Sequence, residues 1–243
     1  MRHALATIAL APVLIAQGRH VRRSVPELPE AEGPRAGASG SGPLLRLLVL
    51  GDSAAAGVGA PTQDHALSGR LVAALQDAFH VQWKLLAFTG ATTADMLAHL
   101  QRAPAEDFDV AVTSLGVNDV TGRRSLTQWR RQQRQLVALL EERFHARHIV
   151  LSGLPPMHRF PALPQPLRWY VGSRAREFDG ALADLAGELS RCEFVKLSYA
   201  MMDLQAMAAD GFHPGPAIYE QWAAAVARRI VERAAQQLPE NTT

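Results

Sequence analysis

Short apolar runs alternate with segments of helical periodicity along most of this chain, and this alternation restricts the fold more than any other feature. The runs lie at residues 46–50, 83–88, 109–114, 148–151 and 194–196, and helical patterns lie at 67–79, 93–100, 126–144, 167–189 and 216–237. Strands that alternate with helices form parallel sheets through right-handed crossovers. Continuous apolar runs indicate strands that are buried on both faces. The sequence therefore predicts an α/β fold: a five-stranded parallel sheet between two layers of helices.

The N-terminal segment, residues 1–23, does not follow this alternation. Residues 4–16 are almost wholly apolar, and a basic cluster of Arg19, His20, Arg22 and Arg23 follows them. The apolar stretch is too short to span a bilayer, which takes about 20 residues. Three interpretations stay open. The segment is a membrane-surface anchor that leaves the protein on the cytoplasmic side, an atypical signal peptide of a periplasmic or secreted protein, or a helix packed on the protein itself.

Residues 24–43 are rich in proline, glycine and serine. This composition is typical of a linker, because it offers little apolar surface to bury. We therefore expect the folded domain to span residues 44–238.

Charge and cysteine content exclude several classes of protein. The formal net charge is only +2, whereas a nucleic-acid-binding domain needs a larger and more concentrated basic excess. The single cysteine, Cys192, cannot form an intrachain disulfide. No cluster of residues has the spacing of metal ligands. The sequence contains no feature that indicates an oligomeric state.

Residues that carry chemistry stand directly after the predicted strands. Gly51-Asp52-Ser53 follows the first strand, and Asp210-Gly211-Phe212-His213 precedes the last helix. A serine hydroxyl needs a base to take its proton, and a histidine can be that base when a carboxylate orients its other nitrogen. Ser53 is therefore a candidate nucleophile, His213 a candidate base and Asp210 its candidate partner.

Two further strand ends offer groups that stabilise an oxyanion. Gly90 follows the second strand and offers an unobstructed backbone N–H, while Asn118 follows the third strand and offers a side-chain amide. The backbone N–H of Ser53 is a third candidate donor. Taken alone, Gly90 is more typical of a turn, and Asn118 is more typical of a turn or a helix cap, than of an oxyanion donor. Their joint occurrence at successive strand ends favours catalysis.

A proline-rich segment at residues 155–166 follows the fourth strand. If this loop lies at the active end of the sheet, Met157, Phe160 and Leu163 are candidates to wall the substrate site. The alternative is a rigid connector.

Other catalytic and nucleotide-binding motifs are missing around Ser53. The segment has no Gly-x-Ser-x-Gly, so it is not the nucleophile turn of ordinary α/β-hydrolases. It also lacks a P-loop and a dinucleotide-binding glycine pattern.

The four motifs together resemble those of the SGNH hydrolases, also called the GDSL esterase and lipase family. The resemblance rests on Gly51-Asp52-Ser53, Gly90, Gly116-Val117-Asn118-Asp119 and Asp210-x-x-His213, and it covers about residues 44–236. It implies a flavodoxin-like three-layer α/β/α fold, the catalytic roles named above, and no metal or organic cofactor. One departure is that small residues, Ala54 to Ala56, follow the serine where many members have a large apolar residue. The acyl-chain preference of other members is therefore not transferred to this chain.

The resemblance implies an ester hydrolase that cleaves carboxylic esters, or thioesters, of small molecules or lipids through an acyl-enzyme on Ser53. A carbohydrate O-acetylesterase or an acyltransferase of the same fold is the alternative within this class. A non-catalytic binding domain tethered to a membrane is the alternative from another class.

Overall fold

A six-stranded sheet forms the centre of the computed structural model, which describes residues 2–122, 124–197 and 203–237. The strands are β1 (Ala36–Ser39), β2 (Leu44–Gly51), β3 (His80–Ala87), β4 (Val110–Ser114), β5 (His148–Ser152) and β6 (Cys192–Val195). Their order across the sheet is β1-β3-β2-β4-β5-β6. Strands β2 to β6 pair in parallel, and β1 pairs antiparallel with β3 at the edge. The predicted α/β architecture is confirmed, but the sheet is mixed and has one more strand than predicted.

Helices cover both faces of this sheet. They are α1 (Arg2–Ser24), α2 (Leu67–Leu75), α3 (Thr93–Arg102), α4 (Val117–Thr121), α5 (Leu126–Arg143), α6 (Leu167–Glu188) and α7 (Pro216–Gln237). Among the described residues, no helix is both long enough and apolar enough to cross a membrane.

The apolar run of β2 explains why both faces are covered. Side chains alternate between the faces of a strand, so Leu48 and Leu50 pack on one side with residues of α3, α5 and α6. Leu47 and Val49 pack on the other side with residues of α2 and α7. All four side chains are fully buried. A strand with a polar face could not be sandwiched in this way, because burying unpaired polar groups is costly.

Helix α1 packs on the domain through α6. Leu14 is buried in the same core cluster as Leu167 and Val171 of α6. The side chain of Gln17 donates a hydrogen bond to the carbonyl of Gln165 (2.7 Å) and accepts one from the backbone N–H of Leu167 (3.0 Å). Helix α1 therefore contacts the domain in this structure, and the membrane-anchor and signal-peptide interpretations of residues 1–23 stay predictions that these contacts do not test.

Residues 24–43 differ from the predicted linker because they contain β1 and several contacts with the domain. Gly37 lies opposite Trp83 in the sheet. The carboxylate of Glu30 accepts hydrogen bonds from the backbone N–H (2.8 Å) and the hydroxyl (2.9 Å) of Thr89. An edge strand is held by main-chain hydrogen bonds and needs little apolar surface. Composition and periodicity therefore do not reveal it.

Candidate active site

The strand ends named in the sequence analysis meet at one edge of the sheet. In the ladder, Gly51 at the end of β2 lies between Ala87 of β3 and Ser114 of β4. Just after β2 the chain is still hydrogen-bonded to the end of β4, because the N–H of Asp52 donates to the carbonyl of Ser114 (3.0 Å). In open α/β sheets, functional groups collect at the carboxyl ends of the strands. Ser53, Gly90 and Asn118 all follow these ends.

Ser53, His213 and Asp210 form a continuous hydrogen-bonded chain. Ser53 Oγ lies 2.9 Å from His213 Nε2, and His213 Nδ1 lies 2.5 Å from Asp210 Oδ2. An ionised carboxylate only accepts hydrogen bonds, so His213 Nδ1 carries the proton that it donates to Asp210. Nε2 of the neutral ring then accepts the proton of the Ser53 hydroxyl. This is the arrangement in which a histidine activates a serine as a nucleophile.

The loop at residues 210–213 holds the aspartate in its ionised form. Asp210 Oδ1 accepts the backbone N–H groups of Phe212 (2.9 Å) and His213 (3.0 Å). Burial alone would raise the pKa of Asp210, but these hydrogen bonds, together with that from the His213 ring, outweigh it and place the pKa below its ordinary value. Asp210 is therefore charged at neutral pH and fixes the orientation of the histidine ring.

Gly90 lies on the turn that follows β3, and Asn118 lies in α4, the short helical turn that follows β4. Gly90 has a φ of +82°, which favours glycine, and the position that a Cβ would take has no atom within 4 Å. Asn118 Nδ2 donates to the carbonyl of Ala91 (3.0 Å). A side-chain amide carries two N–H donors, so the second one is available for an oxyanion. The bond to Ala91 also couples the position of Asn118 to the turn that carries Gly90.

A buried polar cluster supports these two turns, and the sequence analysis did not identify it. The carboxylate of Asp119 accepts both the backbone N–H (3.0 Å) and the hydroxyl (2.9 Å) of Thr93. The same hydroxyl accepts hydrogen bonds from Trp129 Nε1 (3.1 Å) and Gln133 Nε2 (3.0 Å) of α5. The signal in the sequence was the spacing of Trp129 and Gln133, one helical turn apart on the same face. The cluster fastens the turns after β3 and β4 to helix α5.

Asp52 is the residue immediately before Ser53 in the chain, and it is almost fully buried. Its Oδ1 accepts the backbone N–H of Ala54 (3.1 Å). Burial raises the pKa of Asp52 to about 7, although the Ala54 hydrogen bond and the neighbouring His213 act in the opposite direction. Asp52 is thus poised to change charge near neutral pH.

A small cavity opens beside Ser53 and His213. Phe160 lines it, together with Leu115, Leu154 and Phe212. Met157 and Leu163 were also predicted to wall the substrate site, but both are buried in the core and neither lines this cavity. The proline-rich loop turns inward at Met157 and Leu163 because these side chains bury apolar surface against α6 and its neighbours. Only Phe160 of the three faces the site.

The small residues after Ser53 have different surroundings. Ala54 lines the cavity, whereas Ala55 and Ala56 are fully buried against the α2 side of the domain. Only the first of these residues therefore adds space next to the serine.

A mostly parallel α/β sheet with an aligned serine, histidine and aspartate at its carboxyl edge is characteristic of serine-dependent hydrolases. A sequence model of the GDSL-like Lipase/Acylhydrolase family matches residues 49–221. The chain belongs to this family and is an ester-bond hydrolase. A search of curated protein sequences gave no match.

Three solved structures have a similar fold, and the alignment with this protein covers nearly the whole length of each of them. A member of the lipolytic G-D-S-L family from Veillonella parvula has a TM-score of 0.60 at 15% identity, covering 77% of this chain and 98% of that one. Axe2, an acetylxylan esterase from Geobacillus stearothermophilus, has a TM-score of 0.57 at 19% identity, covering 78% and 95%. TesA has a TM-score of 0.57 at 23% identity, covering 76% and 97%. At these identities the likeness establishes the fold.

Proposed function

We propose that this protein is a serine esterase in which Ser53 is acylated by carboxylic esters and His213 and Asp210 act as base and orienting carboxylate. The observation that carries the proposal is the hydrogen-bonded chain from Ser53 Oγ through the His213 ring to Asp210. Ser53 and His213 are 160 positions apart in sequence, so only the tertiary fold brings their side chains within hydrogen-bond distance.

In the first half-reaction, His213 Nε2 takes the proton of Ser53 as the serine oxygen forms a bond to the ester carbonyl carbon. The tetrahedral intermediate places a negative charge on the former carbonyl oxygen. The backbone N–H groups of Ser53 and Gly90 and the side chain of Asn118 are the candidate donors to it. The intermediate collapses when the C–O bond to the alcohol breaks and His213 returns the proton to the departing oxygen. Ser53 is then an acyl ester.

In the second half-reaction, His213 takes a proton from a water molecule, and the resulting hydroxide adds to the acyl carbonyl. The bond to Ser53 Oγ breaks, the serine oxygen regains a proton from His213, and a carboxylic acid leaves. If an alcohol enters instead of water, the same steps transfer the acyl group. Thioesters react by the same route with a thiol as leaving group.

An activity-based fluorophosphonate probe tests the proposed nucleophile, because it phosphonylates an activated serine. We expect the wild-type protein to be labelled on Ser53 and the Ser53→Ala variant to be unlabelled. Ser125, an exposed N-cap of α5, provides the matched control, since Ser125→Ala should be labelled like the wild type. A folded wild-type protein that is not labelled and cleaves no ester would favour a non-catalytic binding domain.

Carbohydrate O-acetylesters are the second candidate substrate class. The support for them is the similar fold of Axe2, an acetylxylan esterase from Geobacillus stearothermophilus. Release of acetate from acetylated xylooligosaccharides, measured beside p-nitrophenyl acetate and a phospholipid, separates this substrate class from simple and lipid esters.

A further inference from the structure

The cavity beside Ser53 has a volume of about 40 Å³. Its walls are mainly apolar. They come from the segments that follow β4, β5 and β6, from the proline-rich loop, from the loop that carries Phe212 and His213, and from α7. The principal wall residues are Leu115, Leu154, Phe160, Leu197, Phe212 and Trp222. Ser53 and His213 lie at the boundary of the same cavity. It is thus an apolar space that adjoins both reacting groups.

The strand order places this cavity at the ends of β4, β5 and β6, on the side of β2 opposite to β3 and Gly90. Gly90 follows β3, which neighbours β2 on one side, whereas β4, β5 and β6 extend on the other side. When the carbonyl oxygen of a bound ester faces Gly90, the acyl chain and the ester oxygen both point away from Gly90. Because the alcohol part must leave after the first half-reaction, the enclosed space at the ends of β4 to β6, where Leu154 and Leu197 lie, suits the acyl chain.

The walls of the cavity are fixed by packing and hydrogen bonds. Phe160 packs edge-on against Phe212 with ring centroids 5.2 Å apart, and Phe212 packs against the His213 ring at 5.3 Å. Trp222, another residue of the cavity wall, is buried, and its Nε1 donates a hydrogen bond to Ser152 Oγ (3.0 Å). Protein interiors are packed as densely as organic crystals, so these side chains cannot retreat cheaply to admit a longer chain.

We propose that this cavity is the acyl-binding site and that it selects short acyl groups, from acetyl to butyryl. A cavity of about 10–15 Å³ holds one water molecule, so the available volume matches one to three carbon atoms beyond the carbonyl. The substrate class is therefore short-chain acyl esters, with the alcohol part of the substrate lying outside the cavity. This inference rests on the proposed function, because it takes Ser53 to be the acylated residue.

The test is a series of p-nitrophenyl esters with acyl chains of two, four, six, eight and twelve carbons, measured as kcat/KM. We expect the acetate and butyrate to be cleaved best and each longer ester to be cleaved at least tenfold more slowly than the butyrate. A single methylene in an apolar pocket discriminates by about 10–200-fold. A wild-type preference for the octanoate or dodecanoate would overturn the assignment.

The variant Phe160→Leu enlarges the cavity from one wall, and Leu197→Ala enlarges it from another. We expect either variant to raise the ratio of kcat/KM for the hexanoate over the acetate by about tenfold. Phe144→Leu is the matched control, because Phe144 is equally buried but packs against Phe108, remote from the cavity. Its ratio should equal that of the wild type. If all three variants change the ratio alike, or if none does, the cavity does not set chain length.

A failure of the acyl-site assignment and a failure of the proposed function give different experimental results. Hydrolysis that favours long chains, with fluorophosphonate labelling of Ser53, would overturn the acyl-site assignment and leave the proposed function intact. The absence of both hydrolysis and labelling in folded protein would overturn both. Melting curves of the variants identify any that fail to fold, and the remaining enlarged variant then decides the outcome.

Discussion

The substitution Asp52→Asn removes a buried charge next to Ser53 and should make the protein more stable at neutral and alkaline pH. The Asn side chain keeps an oxygen that accepts the Ala54 N–H, so the turn that carries Ser53 retains its hydrogen bond. What changes is the cost of burying a carboxylate. Burial raises the pKa of Asp52 from its ordinary value of 3.8 to about 7. The folded protein therefore holds this proton over a pH range in which the unfolded chain releases it.

Proton linkage determines whether Asp52 raises or lowers the free energy of unfolding as the pH rises. Between about pH 4 and pH 7 the folded state binds more protons at Asp52 than the unfolded state does, so this residue lowers stability as the pH rises. The loss begins near pH 4 and is complete just above pH 7. Each pKa unit corresponds to about 1.36 kcal/mol, and the change from 3.8 to about 7 is therefore worth about 4 kcal/mol. Asp210 has a lowered pKa and contributes with the opposite sign, but it is present in both proteins and cancels in their difference.

The measurement is urea unfolding at a series of pH values from 4 to 8.5, followed by the fluorescence of the buried Trp129 and Trp222. We expect the free energy of unfolding of Asp52→Asn, relative to the wild type, to rise by up to about 4 kcal/mol between pH 4 and pH 8. Asp77→Asn makes the same chemical change at an exposed site, and its effect should stay within about 0.5 kcal/mol throughout. A difference between Asp52→Asn and the wild type that is constant over this pH range would refute the argument.

Three further substitutions test the candidate site and its support. Asp210→Asn should lower kcat about 10⁴-fold because His213 loses its orienting charge; a decrease of less than tenfold, with an unchanged circular dichroism spectrum, would remove Asp210 from the catalytic group. Asn118→Ala should lower kcat by about 10²–10³-fold with little change in KM, and a change confined to KM would contradict an oxyanion role. Gln17→Ala deletes two hydrogen bonds to the main chain at 165 and 167 and should destabilise the packing of α1 by about 1–2 kcal/mol. Hydrogen exchange should become faster in residues 155–167, and unchanged protection there would argue against this support.

The sequence by itself determined the layered fold and the positions of the reactive groups along it. Local patterns carry this information, because a run such as Leu47–Leu50 can be buried on both faces only in a covered sheet. Glycine and polar residues mark where each strand ends. Once the strands are parallel, their carboxyl ends share one edge, so Ser53 and Asn118 both follow strand ends at the same edge of the sheet. That His213 completes the chain followed from the family resemblance and from its place before the last helix.

Only the tertiary structure decided the contacts that depend on residues distant in the chain. The segment 24–43 has no apolar period, yet main-chain pairing with β3 makes Ala36–Ser39 an edge strand. Helix α1 has a composition that suits a lipid surface or a protein surface equally well, and only the structure shows that Leu14 and Gln17 contact α6 and the residues just before it. The proline-rich loop could not be divided by sequence into the residue that faces the site, Phe160, and those that face the core. The volume of the cavity and the buried state of Asp52 likewise arise from several chain segments meeting in space, which no local pattern encodes.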